Sequence, residues 1–289
     1  MVRRTDYNGQ TKTIAVGVAQ TLVWTNSEIA SERVVAYHVS LNGTAGGGNT
    51  LADIDRIRLS ANGSNIINIT PTQLRAYLQS YTCGQIQLPT TAQSFTIPLC
   101  LLDAPQPDMQ DVSQFPMRSQ VQLDLVFNTG AVAGSAYVGW TETSIAPALF
   151  PRILASNMNI PASTSLARYN FQENGVIRGI GLPQTGIDRA KIALGNEEFM
   201  FLPGDEFLAA AAADQGNLVT EVETLYGNGP WAGGSPLVTE NFSRINAGIS
   251  APVDGSFIEL QTTANWGGAT EEVTVYAVAP NGPQVPQAA

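Results

Sequence analysis

One stretch of this chain occurs twice. Ile54-Asp55-Arg56-Ile57-Arg58-Leu59 leads into Asn62-Gly63, then Ile66-Ile67-Asn68-Ile69, then Thr70-Pro71-Thr72-Gln73-Leu74-Arg75-Ala76-Tyr77-Leu78. At an offset of 133 residues, with no gap, stand Ile187-Asp188-Arg189-Ala190-Lys191-Ile192, Gly195-Asn196, Phe199-Met200-Phe201-Leu202 and Pro203-Gly204-Asp205-Glu206-Phe207-Leu208. Ile-Asp-Arg is identical, Arg58 matches Lys191, Leu74 matches Phe207, and the turn pair is inverted from Asn-Gly to Gly-Asn. A tight turn with positive φ needs Gly or Asn, and Pro or Gly after the second strand opens a helix. The unit therefore reads as strand, tight turn, strand, short helix. Its spacing is too long for a solenoid repeat and predicts two similar domains.

The rest of the chain supports that division. Two halves, residues 1–150 and 151–289, are each long enough to bury a core. Strands are predicted over Thr11–Trp24 (one or two), Arg33–Leu41, the repeated pair, Gln93–Leu102, Ser119–Asn128 and Ala136–Glu142. A helix is predicted over about 71–80. Pro98 places its strand at a sheet edge or bulge. Pro147, Pro151 and Pro161 punctuate a junction over 146–161. In the second half, strands are predicted over Leu166–Gln172 and Val176–Leu182, over the repeated pair, and over Val219–Tyr226, Phe257–Thr263 and Glu271–Val278. A second helix is predicted over about 204–213, and 281–289 is a Pro/Gln/Ala tail. About eight short strands per half, with a helix between the fourth and the fifth, predict an all-β protein of two tandem eight-stranded jelly rolls.

Charge narrows the function. Only 13% of residues are charged against 44% hydrophobic, about half the usual charged share. Such a surface suits a protein covered by neighbours, although a neutral-surface secreted β protein reads the same way. The net charge is −10. Up to Arg152 there are nine basic and ten acidic residues; beyond it, five and fourteen. Nucleic-acid binding needs a basic face and is disfavoured. Arg3, Arg4 and Lys12 make the N-terminal arm locally basic, suited to anionic lipid or a neighbouring subunit, unless it is simply a solvated, frayed end. Cys83 and Cys100 lack metal-ligand spacing and are expected to be free thiols. No apolar signal core follows Met1, and the longest apolar run, 208–213, is too short to span a bilayer, so a soluble protein is expected.

Catalytic chemistry finds little to work with. His38 is the sole histidine, set within a strand, so any Ser-His-Asp or Cys-His site would have to use it. A structural role is the expectation, and a histidine-rich metal cupin is excluded. No phosphate or dinucleotide loop follows a strand, and Gly46-Gly47-Gly48 is a plain flexible loop. The carboxylate pairs Glu197-Glu198, Asp205-Glu206, Glu221/Glu223 and Glu271-Glu272 have structural readings; neighbours on a strand face opposite ways, and acids suit a helix start. Asp103, Asp108 and Asp111 share one loop and can hold a structural Ca²⁺, though not with EF-hand spacing. Trp24, Trp140, Trp231 and Trp266 are scattered, and packing is their default use.

Two tandem eight-strand units, each with a helix after its fourth strand, resemble the double jelly-roll major capsid proteins of tailless, membrane-containing icosahedral viruses, and most of all those of small lipid-containing bacteriophages. The strand Phe95-Thr96-Ile97-Pro98-Leu99, the Pro-rich connection Pro105 to Pro116 and the strand Val121-Gln122-Leu123-Asp124-Leu125 are similar to that family's first barrel. The resemblance covers about residues 11–280. It implies a coat protein without enzymatic activity or cofactor. Homotrimers would form pseudo-hexagonal capsomers and tile an icosahedral shell, with minor capsid, penton or spike proteins as partners. An internal membrane would lie beneath and direct contact with nucleic acid would be absent. It implies assembly in the host cytoplasm and residence in the virion, with Arg3, Arg4 and Lys12 facing lipid or a neighbour. Two other classes fit the residues: a carbohydrate-binding or adhesive β-sandwich (spike or lectin-like), which exposed Trp231 or Trp266 beside a groove would favour, and a two-carboxylate hydrolase.

Overall fold

The computed structural model describes residues 3–6, 10–30, 34–43, 48–81, 88–99, 120–143, 150–160, 166–170, 176–183, 187–194, 197–203, 237–241, 257–262 and 269–279. The chain forms two compact units, one of Met1–Arg75, Leu88–Leu154 and Val278–Ala289, the other of Ala76–Gln87 and Ala155–Ala277.

The first unit carries β1 (Arg3–Asp6), β2 (Thr11–Ile14), β3 (Gln20–Thr25), β4 (Val34–Gly43), β5 (Ile54–Ala61), β6 (Ser64–Ile69), β7 (Ser94–Pro98), β8 (Val121–Phe127) and β9 (Gly134–Thr143). One sheet runs β2-β9-β4-β7, and β1 also pairs with β9. The other runs β3-β8-β5-β6. Neighbours in both are antiparallel. Eight consecutive strands divided between two four-stranded sheets, alternating except for the adjacent pair β5–β6, make jelly-roll connectivity. The pattern behind it is alternation. In β8, Val121, Leu123, Leu125 and Phe127 are buried while Gln122 is exposed. Leu59, Ile67, Ile97, Tyr37 and Trp24 complete a core from which water is excluded. Each such side chain contributes about 1.5–3 kcal/mol of burial.

The repeated segment folds as predicted in its first copy. Asn62 (φ 50) and Gly63 (φ 78) form the turn between β5 and β6. Helix α1 (Pro71–Tyr81) then begins at a capping box. The Gln73 backbone N–H donates to the Thr70 hydroxyl at 3.2 Å, and the Thr70 N–H donates to the Gln73 side chain at 2.8 Å. Two otherwise orphaned N–H groups are thus satisfied, and Pro71 sits where its missing N–H costs nothing. Leu74 and Leu78, one turn apart, are buried. The helix follows the sixth strand of the chain, not the fourth as the sequence pattern predicts. The arm supplies β1, and Thr11–Trp24 is two strands split at Gly17, which has φ +66 and donates its N–H to the Ala131 carbonyl at 2.9 Å. Pro98 lies on β7, an edge strand of its sheet, where its missing donor costs no ladder bond.

The second unit begins inside β10 (Phe150–Ile160), whose Ile153 and Leu154 still belong to the first unit and pair parallel with Ile67 and Asn68 of β6. Of the prolines at the expected junction, Pro147 and Pro161 lie outside the described residues. Pro151 is only the second residue of β10, a position a strand tolerates. Then come β11 (Leu166–Asn170), β12 (Val176–Pro183), β13 (Ile187–Leu194), β14 (Glu197–Pro203), β15 (Leu237–Asn241), β16 (Phe257–Thr262) and β17 (Ala269–Ala279). Their orders are β15-β12-β17-β10 and β11-β16-β13-β14, the same deal of eight strands. The predicted helix over 204–213 and the predicted strand Val219–Tyr226 lie outside the described residues. Strand β15, five residues after Pro236, has no counterpart in the sequence reading.

Candidate interaction surfaces

Among the described residues no group of three or more His, Cys, Asp or Glu side chains is placed to hold a metal. Asp103, Asp108 and Asp111 lie outside the described residues, as do Cys83 and Cys100. No described helix is long and apolar enough to cross a membrane.

The basic arm is a strand. Arg3 stands opposite Thr143, and Arg4 opposite Glu142, on β9. Farther along the same edge, β2 pairs Thr11 with Tyr137 and Ile14 with Gly134. Gly134 and Thr143 are nine residues apart, roughly 30 Å at the rise of a strand. The arm thus marks one end of the first unit. The turn between β2 and β3, with Val16 63% and Val18 53% exposed, marks the other. Lys12 lies between these ends and is engaged within the unit. Its ammonium is 2.6 Å from a Glu28 carboxylate oxygen and 5.7 Å from the centroid of the Trp24 ring. The hydrogen bond from Lys12 holds the Glu28 carboxyl below its ordinary range, against the opposing effect of burial.

His38 lies mid-sheet on β4. Its Nδ1 is 3.0 Å from the Thr96 hydroxyl and its Nε2 2.7 Å from the Thr141 hydroxyl. Hydroxyls can donate or accept, so either neutral tautomer is satisfied. No carboxylate adjoins it in these bonds, and desolvation depresses its pKa. Because the folded state favours the neutral ring, the unfolded chain binds the proton more readily below about pH 6.5. Stability contributed here is present above that pH and is lost as pH falls through the folded pKa. Thermal unfolding followed between about pH 7 and pH 5 is expected to show a falling midpoint that flattens in His38→Gln. An equally steep fall in the variant would assign the effect elsewhere.

Two tryptophans are packing residues. Trp24 is fully buried and donates Nε1–H to the Gln10 carbonyl at 2.7 Å, and Trp140 is 8% exposed and donates to Glu142 at 2.9 Å. Trp231 and Trp266 lie outside the described residues. A polar lock that the sequence did not flag is Asn49, fully buried. Its amide nitrogen donates to the Asn42 carbonyl at 3.3 Å and the Val132 carbonyl at 2.8 Å, and its Oδ1 accepts the Val132 N–H at 2.8 Å. One side chain thereby joins the end of β4 to the segment just before β9. Its only sequence signal was an Asn beside a glycine run.

No protein-family model matches the chain. No curated protein matches it either. Solved structures do. The major capsid protein P2 from bacteriophage PM2 matches with a TM-score of 0.65 and 12% identity, over 96% of this chain and 97% of that one. The chain is a double jelly roll. A second double jelly roll, the STIV major capsid protein, matches with a TM-score of 0.62 and 14% identity over 96% of both chains. A structure from Sulfolobus Turreted Icosahedral Virus matches at 0.60 and 13%, over 96% of this chain and 90% of that one. At such identities the double jelly roll is shared through its strand order and burial pattern rather than through side chains that could be transferred one by one.

Proposed function

We propose that this chain is the major capsid protein of an icosahedral virus and has no enzymatic role. The observation that carries the reading is the presence of two eight-stranded jelly rolls in one chain, matched over nearly the whole length of capsid proteins of that build. Two similar but unequal barrels give a three-fold object six lateral faces, so a homotrimer fills a pseudo-hexagonal tile. Edge-to-edge tiling then follows from heterologous contacts between trimers. A chain with only 13% charged residues suits this, because unpaired buried charge is costly at an interface. Minor capsid, penton or spike proteins would fill the positions that the trimer cannot.

The end of the first unit that bears Arg3 and Arg4 is assigned to the internal membrane, whose anionic headgroups attract basic residues at about 1 kcal/mol each. Lys12, already bonded to Glu28, contributes less. Light scattering of the purified protein is expected to give a particle of about three times 30.6 kDa, and concentrated protein to form hexagonal arrays by electron microscopy. A strictly monomeric protein that forms no array with or without anionic vesicles would overturn the proposal.

A further inference from the structure

Across β2, β9, β4 and β7 the outer face of the sheet carries no charged side chain among the described residues. Ile14, Val39, Leu41, Phe95, Ala136 and Val138 are buried in the core, so the residues that alternate with them face away from it. They fall into rows across the strands. Thr11, Tyr137, Ser40 and Ser94 make one row of four hydroxyls. Thr13, Ser135 and Asn42 make the row on one side of it, and Gly139, His38 and Thr96 the row on the other. Thr11, Thr13, Asn42 and Ser94 are exposed, and Ser40, Ser135 and Tyr137 are half-buried. Lys12, between the two threonines of β2, is held on the inner side by Glu28 and the Trp24 ring. The unit's other sheet is built differently. There Asp124 of β8 stands opposite Arg58 of β5 on the outer face, and Arg56 stands opposite Val126 two residues away.

We infer that this uncharged face of the first unit is covered by a second copy of the chain within the capsomer. The inference rests on the capsid reading and names one contact within it. Interface cores are depleted of charge relative to open surface, and the two outer faces of this unit divide in that way. Ordering short Ser and Thr side chains against a partner costs little entropy. His38 already has its ring nitrogens 3.0 Å and 2.7 Å from the Thr96 and Thr141 hydroxyls, so covering it leaves neither nitrogen without a partner. A face present on every copy needs a cover present in equal number, which a second copy supplies. The size agrees. Four strands about 4.8 Å apart, taken from Ser135 to Thr141 along β9, offer roughly 500 Å². Two partners then bury about 1,000 Å², the lower bound for a specific interface. Because the face meets a different surface of the next copy, the contact is heterologous, and three of them close a ring.

The test places charge on this face of the full chain. Thr11→Glu with Thr13→Glu, both exposed on β2, is compared by light scattering with Gln122→Glu, exposed on the other sheet. Circular dichroism and thermal unfolding check the fold of each. The double variant is expected to raise the concentration needed for the trimer at least tenfold, and Gln122→Glu to leave it unchanged. A thiol introduced by Ser94→Cys, with Cys83→Ser and Cys100→Ser, is expected to react at least tenfold more slowly in the trimer than in the same chain carrying the two glutamates. Folded charge variants that trimerise like wild type, with the thiol at position 94 labelled freely, would overturn this contact and leave the capsid reading standing. Free labelling in the trimer together with glycan binding that Tyr137→Ala abolishes would overturn it in favour of a carbohydrate platform. A wild-type chain that stays monomeric and forms no array under all conditions would overturn both.

Discussion

Trp24→Ala is expected to lower the unfolding free energy by about 3–5 kcal/mol, the usual cost of emptying a buried large aromatic site. Trp24 has no exposed surface and is flanked across the ladder by Leu123 of β8. Its indole N–H is satisfied by the Gln10 carbonyl at 2.7 Å, so the ring ties β3 to the segment that precedes β2. Alanine leaves both a cavity and an unpaired carbonyl. Trp24→Phe keeps most of the packing and loses only the hydrogen bond, so it should cost about 1–2 kcal/mol. Denaturant titration of the three proteins measures this through the midpoint at constant slope. A loss under about 1 kcal/mol for the alanine variant would contradict the burial described above.

Gly134→Ala is expected to cost about 3 kcal/mol, at the upper end for overpacking, and to lower the melting temperature by roughly 6–12 °C. A Cβ on Gly134 runs into the Asn42 backbone carbonyl and lies 2.9 Å from the Asn49 amide nitrogen. Neither neighbour can turn aside. The carbonyl belongs to β4, and Asn49 is held by three bonds to Asn42 and Val132. Gly130→Ala provides the contrast. Its Cβ would meet only side-chain atoms, Asn128 at 3.0 Å and Asp53 at 3.4 Å, rather than backbone, so the expected change is smaller, about 1 kcal/mol. Equal effects at the two glycines would mean that the close approach of β4 and β9 is not as described.

The duplicated segment was legible because it combines three independent local signals: alternation in Ile57 and Leu59, an Asn-Gly turn, and a Thr-Pro-x-Gln helix start. Each is enforced by neighbours within a few residues, and the structure satisfies all three in the first copy. Elements decided by distant partners were not legible. Residues 15–19 look continuous with the strands around them, and only the bond from Gly17 to Ala131, more than a hundred residues away, shows why the chain turns there. Pro151 gives no local sign of a strand, yet it is the second residue of β10, whose Ile153 and Leu154 pair with β6. The surfaces were less legible than the fold. The arm showed as a basic cluster, but its pairing with β9 depends on residues 140–143. Thr11, Tyr137, Ser40 and Ser94 lie on four strands whose adjacency no local pattern reveals.

The pairing of residues 3–6 and 11–14 with β9 also dictates a timetable. During synthesis β2 has no partner on β9 until residues 134–137 have been made, and β1 none until residues 140–143. Such remote pairings pay loop-closure entropy before they return anything, and they slow folding. Until then β1 and β2 remain unpaired and available to another nascent chain of the same kind. The last strand of the first barrel is therefore a checkpoint. A chain interrupted before Gly134 leaves its N-terminus unsealed, and one that passes Thr143 closes its own edge before it meets a neighbour.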